Sequence, residues 1–273
     1  MKPSLKICSL LLPFASLIPA TPSLGADTAV QLPAKQDFHL FLLAGQSNMA
    51  GRGKVDDEAR KPNPRIFSLN KTGEWQPAVD PLHWDKSAAG VGIGKAFAEI
   101  IAAQNPGISI GLIPAACGGS PIATWAPGQF FEQTKSHPYD DAIARAKRAL
   151  QDGTLKAILW HQGESDSNAK DAPEHEKRLE ELITRFRTEL NAPDLPFIIG
   201  QLGRFPAKPW TEDREAVNAV HQAVAKKMKN VRFVPAEGLT SIGDNLHFDT
   251  PSLRTFAKGY ADAYLQIIET PKR

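Results

Sequence analysis

Cysteine is scarce in this 273-residue chain, which has two, Cys8 and Cys117. Cys8 falls in an N-terminal leader, so the rest of the chain holds a single thiol and has no internal disulfide framework. Charge of one sign is scarce too: 32 Lys and Arg face 30 Asp and Glu, and no run of like charge marks an arm for nucleic acid or an anionic membrane. No apolar run reaches the roughly 20 residues of a membrane anchor; Ile7 to Ile18 is too short and is broken by Pro13. Fixed-period repeats, low-complexity tracts and a second domain boundary are missing, which leaves one domain. Its composition, 42% hydrophobic and 23% charged, is enough to bury one sizeable core. Nothing in the pattern sets the oligomeric state.

What is present begins with Lys2 and Lys6 ahead of that apolar run, with Ser23 and Gly25 at small-residue positions soon after. This is the pattern of a signal peptide over residues 1–26, cleaved after Gly25 or Ala26. A single domain over 27–273 follows, and the expected location is secreted or periplasmic. Cys8 lies early in the apolar run, which argues against a lipoprotein. Cys117, beside Gly118 and Gly119, reads as a small packed thiol.

Short β-rich runs then alternate with longer helical patterns. Strands are expected at His39–Ala44, Ile108–Pro114, Leu155–Trp160, Phe197–Gln201 and Val231–Val234. Helices are expected near Val91–Gln104, Asp140–Gln151, Pro173–Leu190, Glu212–Lys229 and Pro251–Ile268. The region from Lys54 to Lys86 reads mostly as loop, with Arg65–Leu69 a candidate edge strand. Such alternation predicts parallel strands joined by right-handed crossovers, hence an α/β fold: a three-layer α/β/α sandwich around a parallel sheet of about five strands. Three polar, glycine-rich segments, 45–51, 115–124 and 161–166, each follow a strand. They therefore fall at the carboxyl edge of the sheet, where open α/β sheets bind ligands.

Ser47 lies between Gly45 and Gly51 just past a buried strand, a setting that can present a hydroxyl on a sharp turn beside backbone N–H groups. Met49 in place of a second glycine sets this apart from the G-x-S-x-G elbow, and a helix-capping serine is the plain alternative. A serine nucleophile needs a base. Of seven histidines, His247 is best placed, with Asp244 at i−3 to orient its ring. In Trp160-His161-Gln162-Gly163-Glu164-Ser165-Asp166, Gln162 is a candidate oxyanion donor and Glu164 a candidate to orient a histidine or hold substrate. His161, Glu164 and Asp166 as a metal set is the competing reading, but no further ligand stands at the usual spacing. The Gly118-Gly119 pair offers backbone N–H groups. Neither it nor Gly51-x-Gly53 completes a phosphate or dinucleotide fingerprint. Trp125 is a candidate sugar-stacking wall, with core packing as its alternative.

Together, Gly45-Gln46-Ser47-Asn48-Met49, the Gly118-Gly119 loop, the His161–Asp166 segment and Asp244-x-x-His247 resemble the SGNH hydrolases. The likeness is strongest to sialate O-acetylesterase-like proteins and acetylxylan esterases of carbohydrate esterase family six. Four ordered blocks from Gly45 to His247 carry it. The resemblance implies a flavodoxin-like sheet with Ser47 as nucleophile and His247 as base. It further implies an oxyanion hole from the Ser47 and Gly119 N–H groups and the Gln162 side chain, and substrate contacts at Gln46, Asn48, Trp125 and His161. Gln46 and Gln162 stand where many members of the wider superfamily carry Asp and Asn. The triad acid stays open between Asp244 and Glu164.

The implied reaction is two-step acyl transfer from an acetylated carbohydrate, with no cofactor, no nucleic-acid partner and no membrane anchor. A catalytically silent carbohydrate-binding protein of the same fold, or a lipase or thioesterase of the superfamily, would share many of these features.

Overall fold

The computed structural model describes Met1, Ser4 and residues 30–269, so the leader and its cleavage site lie outside the described residues. Phe38–Gly45 forms β1, the middle of the sheet. Its nearly unbroken apolar run suits a parallel strand covered by helices on both faces. Successive side chains alternate between two cores: Phe41 and Leu43 point to one, Leu40, Leu42 and Ala44 to the other.

After β1 come the short α1 (Ser47–Ala50), then β2 (Ile66–Leu69), β3 (Trp75–Pro77), α2 (Ile93–Gln104), β4 (Ser109–Pro114) and α3 (Pro138–Ala149). The chain continues through β5 (Thr154–His161), α4 (His175–Glu189), β6 (Phe197–Gly200), α5 (Glu212–Lys227), β7 (Val231–Val234) and α6 (Thr250–Glu269). The sheet has seven strands in the order β3-β2-β4-β1-β5-β6-β7, all parallel except β3.

This corrects the expected count of about five. The five anticipated strands are β4-β1-β5-β6-β7, and β2 and β3 extend that sheet on the β4 side as a hairpin. β3 is only three residues long, too short for its alternation to register. It is held by tertiary packing, Trp75 meeting Phe38 edge-on at 4.8 Å between ring centroids. Asn70 closes the turn, its side-chain oxygen accepting from the N–H groups of Thr72 and Glu74.

α2 and α6 cover one face of the sheet and α3, α4 and α5 the other. Ile93, Phe97 and Ile101 recur on one side of α2 and are fully or nearly buried there. Phe41 meets Phe97 and Tyr264 edge-on at 4.8 and 5.2 Å. Truncating such a buried ring to Ala costs about 3–5 kcal/mol.

From β1 the chain passes to β4 on one side and later to β5 on the other, so the strand order reverses at β1. Above the carboxyl ends of these three strands lies the crevice that such a reversal opens. Residues 46–51, 115–119 and 162–166 surround it. The described residues include no helix long and apolar enough to cross a membrane.

Candidate active site

The site starts at the end of β1. Gly45 adopts a φ of +126°, and a Cβ there would sit 2.1 Å from the carbonyl oxygen of His161 on the adjoining strand. Only glycine lets the two backbones approach so closely. The Gln46 N–H donates to that same carbonyl at 2.8 Å, and the chain then turns into α1 with Ser47 as its first residue. Standing first, the Ser47 N–H has no acceptor within its helix.

The histidine that reaches Ser47 comes from 200 residues away. Asp244 caps its own turn: Oδ1 accepts from the N–H groups of Leu246 and His247 at 2.9 and 2.8 Å and from the Ser241 hydroxyl at 3.2 Å. Its other oxygen, Oδ2, lies 2.5 Å from His247 Nδ1, and His247 Nε2 lies 2.9 Å from Ser47 Oγ. Partial burial works against the Asp244 charge, but the His247 N–H, the His247 ring and the Leu246 N–H outweigh it and hold the carboxyl down at about 2. The aspartate is thus ionised across the neutral range, which fixes a proton on Nδ1 and leaves Nε2 to accept from the serine hydroxyl.

Glu164, the other candidate acid, serves different groups. Its Oε1 accepts from Asn48 Nδ2 at 2.6 Å and stands 3.6 Å from His161 Nδ1. Burial opposes its charge, while His161, Arg214 and Asn48 favour it and leave its pKa below the usual value. Asn48 also donates to the Leu246 carbonyl and accepts from the Phe248 N–H, so it clamps the His247 loop onto the Ser47 turn.

A cavity of about 530 Å³ opens over Ser47 and His247, with Gln46, Arg52, Lys86, Gly119, Ile242 and Leu246 in its walls. Gly119, at φ +86°, donates its N–H to no other described residue. Gly118 is spoken for, since its N–H donates to Asp85 Oδ2 at 2.8 Å. That same carboxylate oxygen is 2.7 Å from Arg52, in an ion pair whose side chains are 6% and 3% exposed. The pair pins the 115–119 loop beside the serine.

Of the side chains expected to touch substrate, Gln46 lines the cavity. Its Oε1 accepts from the N–H groups of Gly163 and Ser165 at 3.4 and 3.3 Å, tying the Ser47 turn to the loop after β5. Three others need correction. Asn48 is buried as the clamp just described. Trp125 is fully buried, donates to Ser120 Oγ at 2.9 Å and packs edge-on against Trp160, so it is core and not a sugar wall. His161 is also fully buried, with Nε2 2.9 Å from the Gln201 carbonyl and its ring against Phe248 and Phe256.

Gln162 departs from expectation as well. Its amide is enclosed, donating to Asp166 Oδ2 and to the Ser120 carbonyl, and it does not line the cavity. Asp166 in turn accepts from the Ile122 N–H, while Glu164 stands beside His161 and Asn48, and no group of three or more potential metal ligands comes together among the described residues. Arg52, Asp85, Lys86 and Ile242 were not anticipated. Arg52 alone carried a signal, its place directly after the nucleophile segment; the others sit in loops whose paths only the fold decides.

Comparison with known proteins identifies the family. The family model described as carbohydrate esterase, sialic acid-specific acetylesterase matches residues 37–266. The chain belongs to this carbohydrate esterase family. A probable carbohydrate esterase of Arabidopsis thaliana is 34% identical to this family member over 251 residues, covering 83% of this chain and 90% of the plant protein. The solved structure of an Arabidopsis thaliana protein superposes with a TM-score of 0.74 at 32% identity, covering 84% of this chain and 98% of that one. A carbohydrate acetylesterase from Xanthomonas citri shares the fold at a TM-score of 0.65 and 21% identity, over 85% of this chain and 56% of its own.

Proposed function

We propose that this family member is a serine esterase that removes O-acetyl groups from a carbohydrate, with Ser47, His247 and Asp244 as its triad. The observation that carries the reading is the unbroken line Asp244 Oδ2, His247 Nδ1, His247 Nε2, Ser47 Oγ, with steps of 2.5 and 2.9 Å, at the wall of an open cavity. Ser47 Oγ attacks the acetyl carbonyl as His247 Nε2 takes its proton. The carbonyl oxygen becomes an oxyanion facing the Ser47 and Gly119 N–H groups, and His247 returns the proton to the departing sugar hydroxyl. Water, deprotonated by the same nitrogen, then attacks the acetyl-serine; the bond to Ser47 Oγ breaks, His247 returns that proton to Oγ, and acetate leaves. Gln162 has no direct part in this scheme, because its amide is engaged behind the site.

The cavity walls favour a short acyl group on a polar alcohol over a long-chain ester. Arg52, Lys86 and Gln46 mix there with small residues. The test is acetate release from acetylated xylan and O-acetylated sialic acid, with a long-chain nitrophenyl ester alongside. Ser47→Ala is expected to cut kcat by roughly 10⁴-fold or more. Covalent labelling by a fluorophosphonate is expected to vanish with it. Unchanged turnover in Ser47→Ala overturns the proposal, and preference for the long ester moves the protein to the lipase branch.

A further inference from the structure

We propose that a second cavity beside the Ser47 cleft is a sugar subsite, which seats a neighbouring residue of an acetylated oligosaccharide while Ser47 acts on the residue that carries the ester. The proposal rests on the esterase reading above and extends it, making the preferred substrate an oligosaccharide and not a free monosaccharide.

This cavity, of about 390 Å³, lies over the carboxyl ends of β2 and β4 and is walled by the loop 83–85, the segment 114–117 and the first turns of α3. It shares walls with the catalytic cleft. Trp84 and Asp85 line it while the next residue, Lys86, lines the cleft; Cys117 lines it while Gly118 and Gly119 line the cleft. Asp85 reaches through, bonding Arg52 and the Gly118 N–H on the cleft side.

Three features of the second cavity suit a polyhydroxylated ring. Trp84 is 40% exposed, one of few large apolar side chains left uncovered among the described residues, and the Arg145 guanidinium stacks 4.6 Å from its ring centre and holds it in place. Arg145 is itself anchored by the carbonyls of Pro114, Leu69 and Asn70. An aromatic plate so fixed offers a flat apolar surface to the C–H face of a sugar. Next, the lining holds a polar atom that wants a partner: buried Asp85 Oδ1 makes no hydrogen bond among the described residues. Orphaned buried polar atoms of this kind are costly unless water or a ligand satisfies them. Lastly, Lys71, Thr134, Ser136 and Asp141 add donors and acceptors of both kinds at the walls. Aspartates stand among the cations, so a neutral, hydroxyl-rich ligand is better matched than an anion.

The experiment compares kcat/KM for fully acetylated methyl xyloside with that for fully acetylated xylotetraose, in the wild type and in two variants, with 4-nitrophenyl acetate as a small-ester control. Trp84→Ala removes the plate. Ala144→Trp, at an exposed position of α3 that lines the cavity, fills it without touching the core. The wild type is expected to favour the tetramer by about ten-fold, roughly the worth of one aromatic contact. Both variants should abolish that preference through KM, leaving kcat and the control ester unchanged, and Trp84→Phe should restore much of it. Equal kcat/KM for monomer and tetramer in the wild type overturns the subsite, as does a preference that survives both variants. So does failure to turn over either sugar while 4-nitrophenyl acetate is cleaved. Failure of Ser47-dependent cleavage of 4-nitrophenyl acetate would instead overturn the esterase reading itself.

Discussion

Replacing Asp244 with Asn tests which carboxylate orients His247. An amide keeps one oxygen, which can still accept from the N–H groups of Leu246 and His247, so the turn should hold its shape. Where Oδ2 now stands 2.5 Å from Nδ1, the variant presents an NH₂ group. Two donors cannot face each other, so Nδ1 gives up its proton and Nε2 acquires it. The nitrogen 2.9 Å from Ser47 Oγ then donates where it must accept, and the serine loses its base. A tautomer fault of this kind lowers kcat by about 10⁴-fold in a serine triad, or about 5.5 kcal/mol of barrier. KM should hardly move, because binding in the cavity is left alone. Glu164→Gln is the matched control: it weakens the support that Glu164 gives Asn48 but leaves the His247 tautomer intact, so the loss should stay near ten-fold, one charge-assisted hydrogen bond. Initial rates with 4-nitrophenyl acetate, with melting temperatures to confirm folding, decide the matter. If Glu164→Gln loses as much kcat as Asp244→Asn, or Asp244→Asn stays within ten-fold of wild type, the assignment of the acid is wrong.

Three further outcomes are expected. Gln162→Ala should lower stability by about 1–3 kcal/mol, because it strips a donor from buried Asp166, and should reduce kcat by less than ten-fold. A loss of 10²–10³ with unchanged melting would mean that the amide reaches the oxyanion in the reacting complex. Asp85→Ala should cost about 3–5 kcal/mol in denaturant unfolding, since it leaves the Arg52 charge buried without its acid, and a joint Arg52→Leu, Asp85→Leu change should cost less than the single one. A single-variant cost below about 1 kcal/mol would count against that account. Burial pushes the Asp80 carboxyl up to about 7, despite Lys95 and the Gly92 N–H, so the folded state holds a proton there that the unfolded chain has lost above its ordinary pKa near 3.8. Its contribution therefore falls as pH rises towards 7 and levels off above that. Melting temperature should decline from pH 6.5 to 8 in the wild type and be flatter in Asp80→Asn; parallel curves would refute this. Below that window the buried histidines His83 and His175, both pushed down to about 4 by burial, act in the opposite sense.

Much of the architecture is legible in the linear sequence because its signals are local. Nearly unbroken apolar runs can be buried only as central strands, and the three-to-four-residue recurrence in Ile93, Phe97 and Ile101 can be satisfied only by a helix on one face. Their alternation dictates a parallel sheet. That in turn puts Ser47, the Gly118-Gly119 pair and the His161–Asp166 segment at one edge. Asp244 and His247 are legible for the same reason, being three residues apart on one turn.

Tertiary structure decided what depends on contacts between distant segments. β3 exists because Trp75 finds Phe38. The resemblance puts Trp125, His161 and Asn48 at the substrate, yet each is buried, Trp125 in the core packing that was its alternative, because side chains next to a site serve equally well as its scaffolding. Which carboxylate faces His247 could not be read from spacing, since both stand near a histidine; the fold brings Asp244 to His247 and sets Glu164 against Asn48, across 116 residues of chain. The cleft walls, Arg52 locked to Asp85 and Lys86 beside them, were set by where a long connecting loop runs. The path of such a loop follows from what it packs against, which no local pattern encodes.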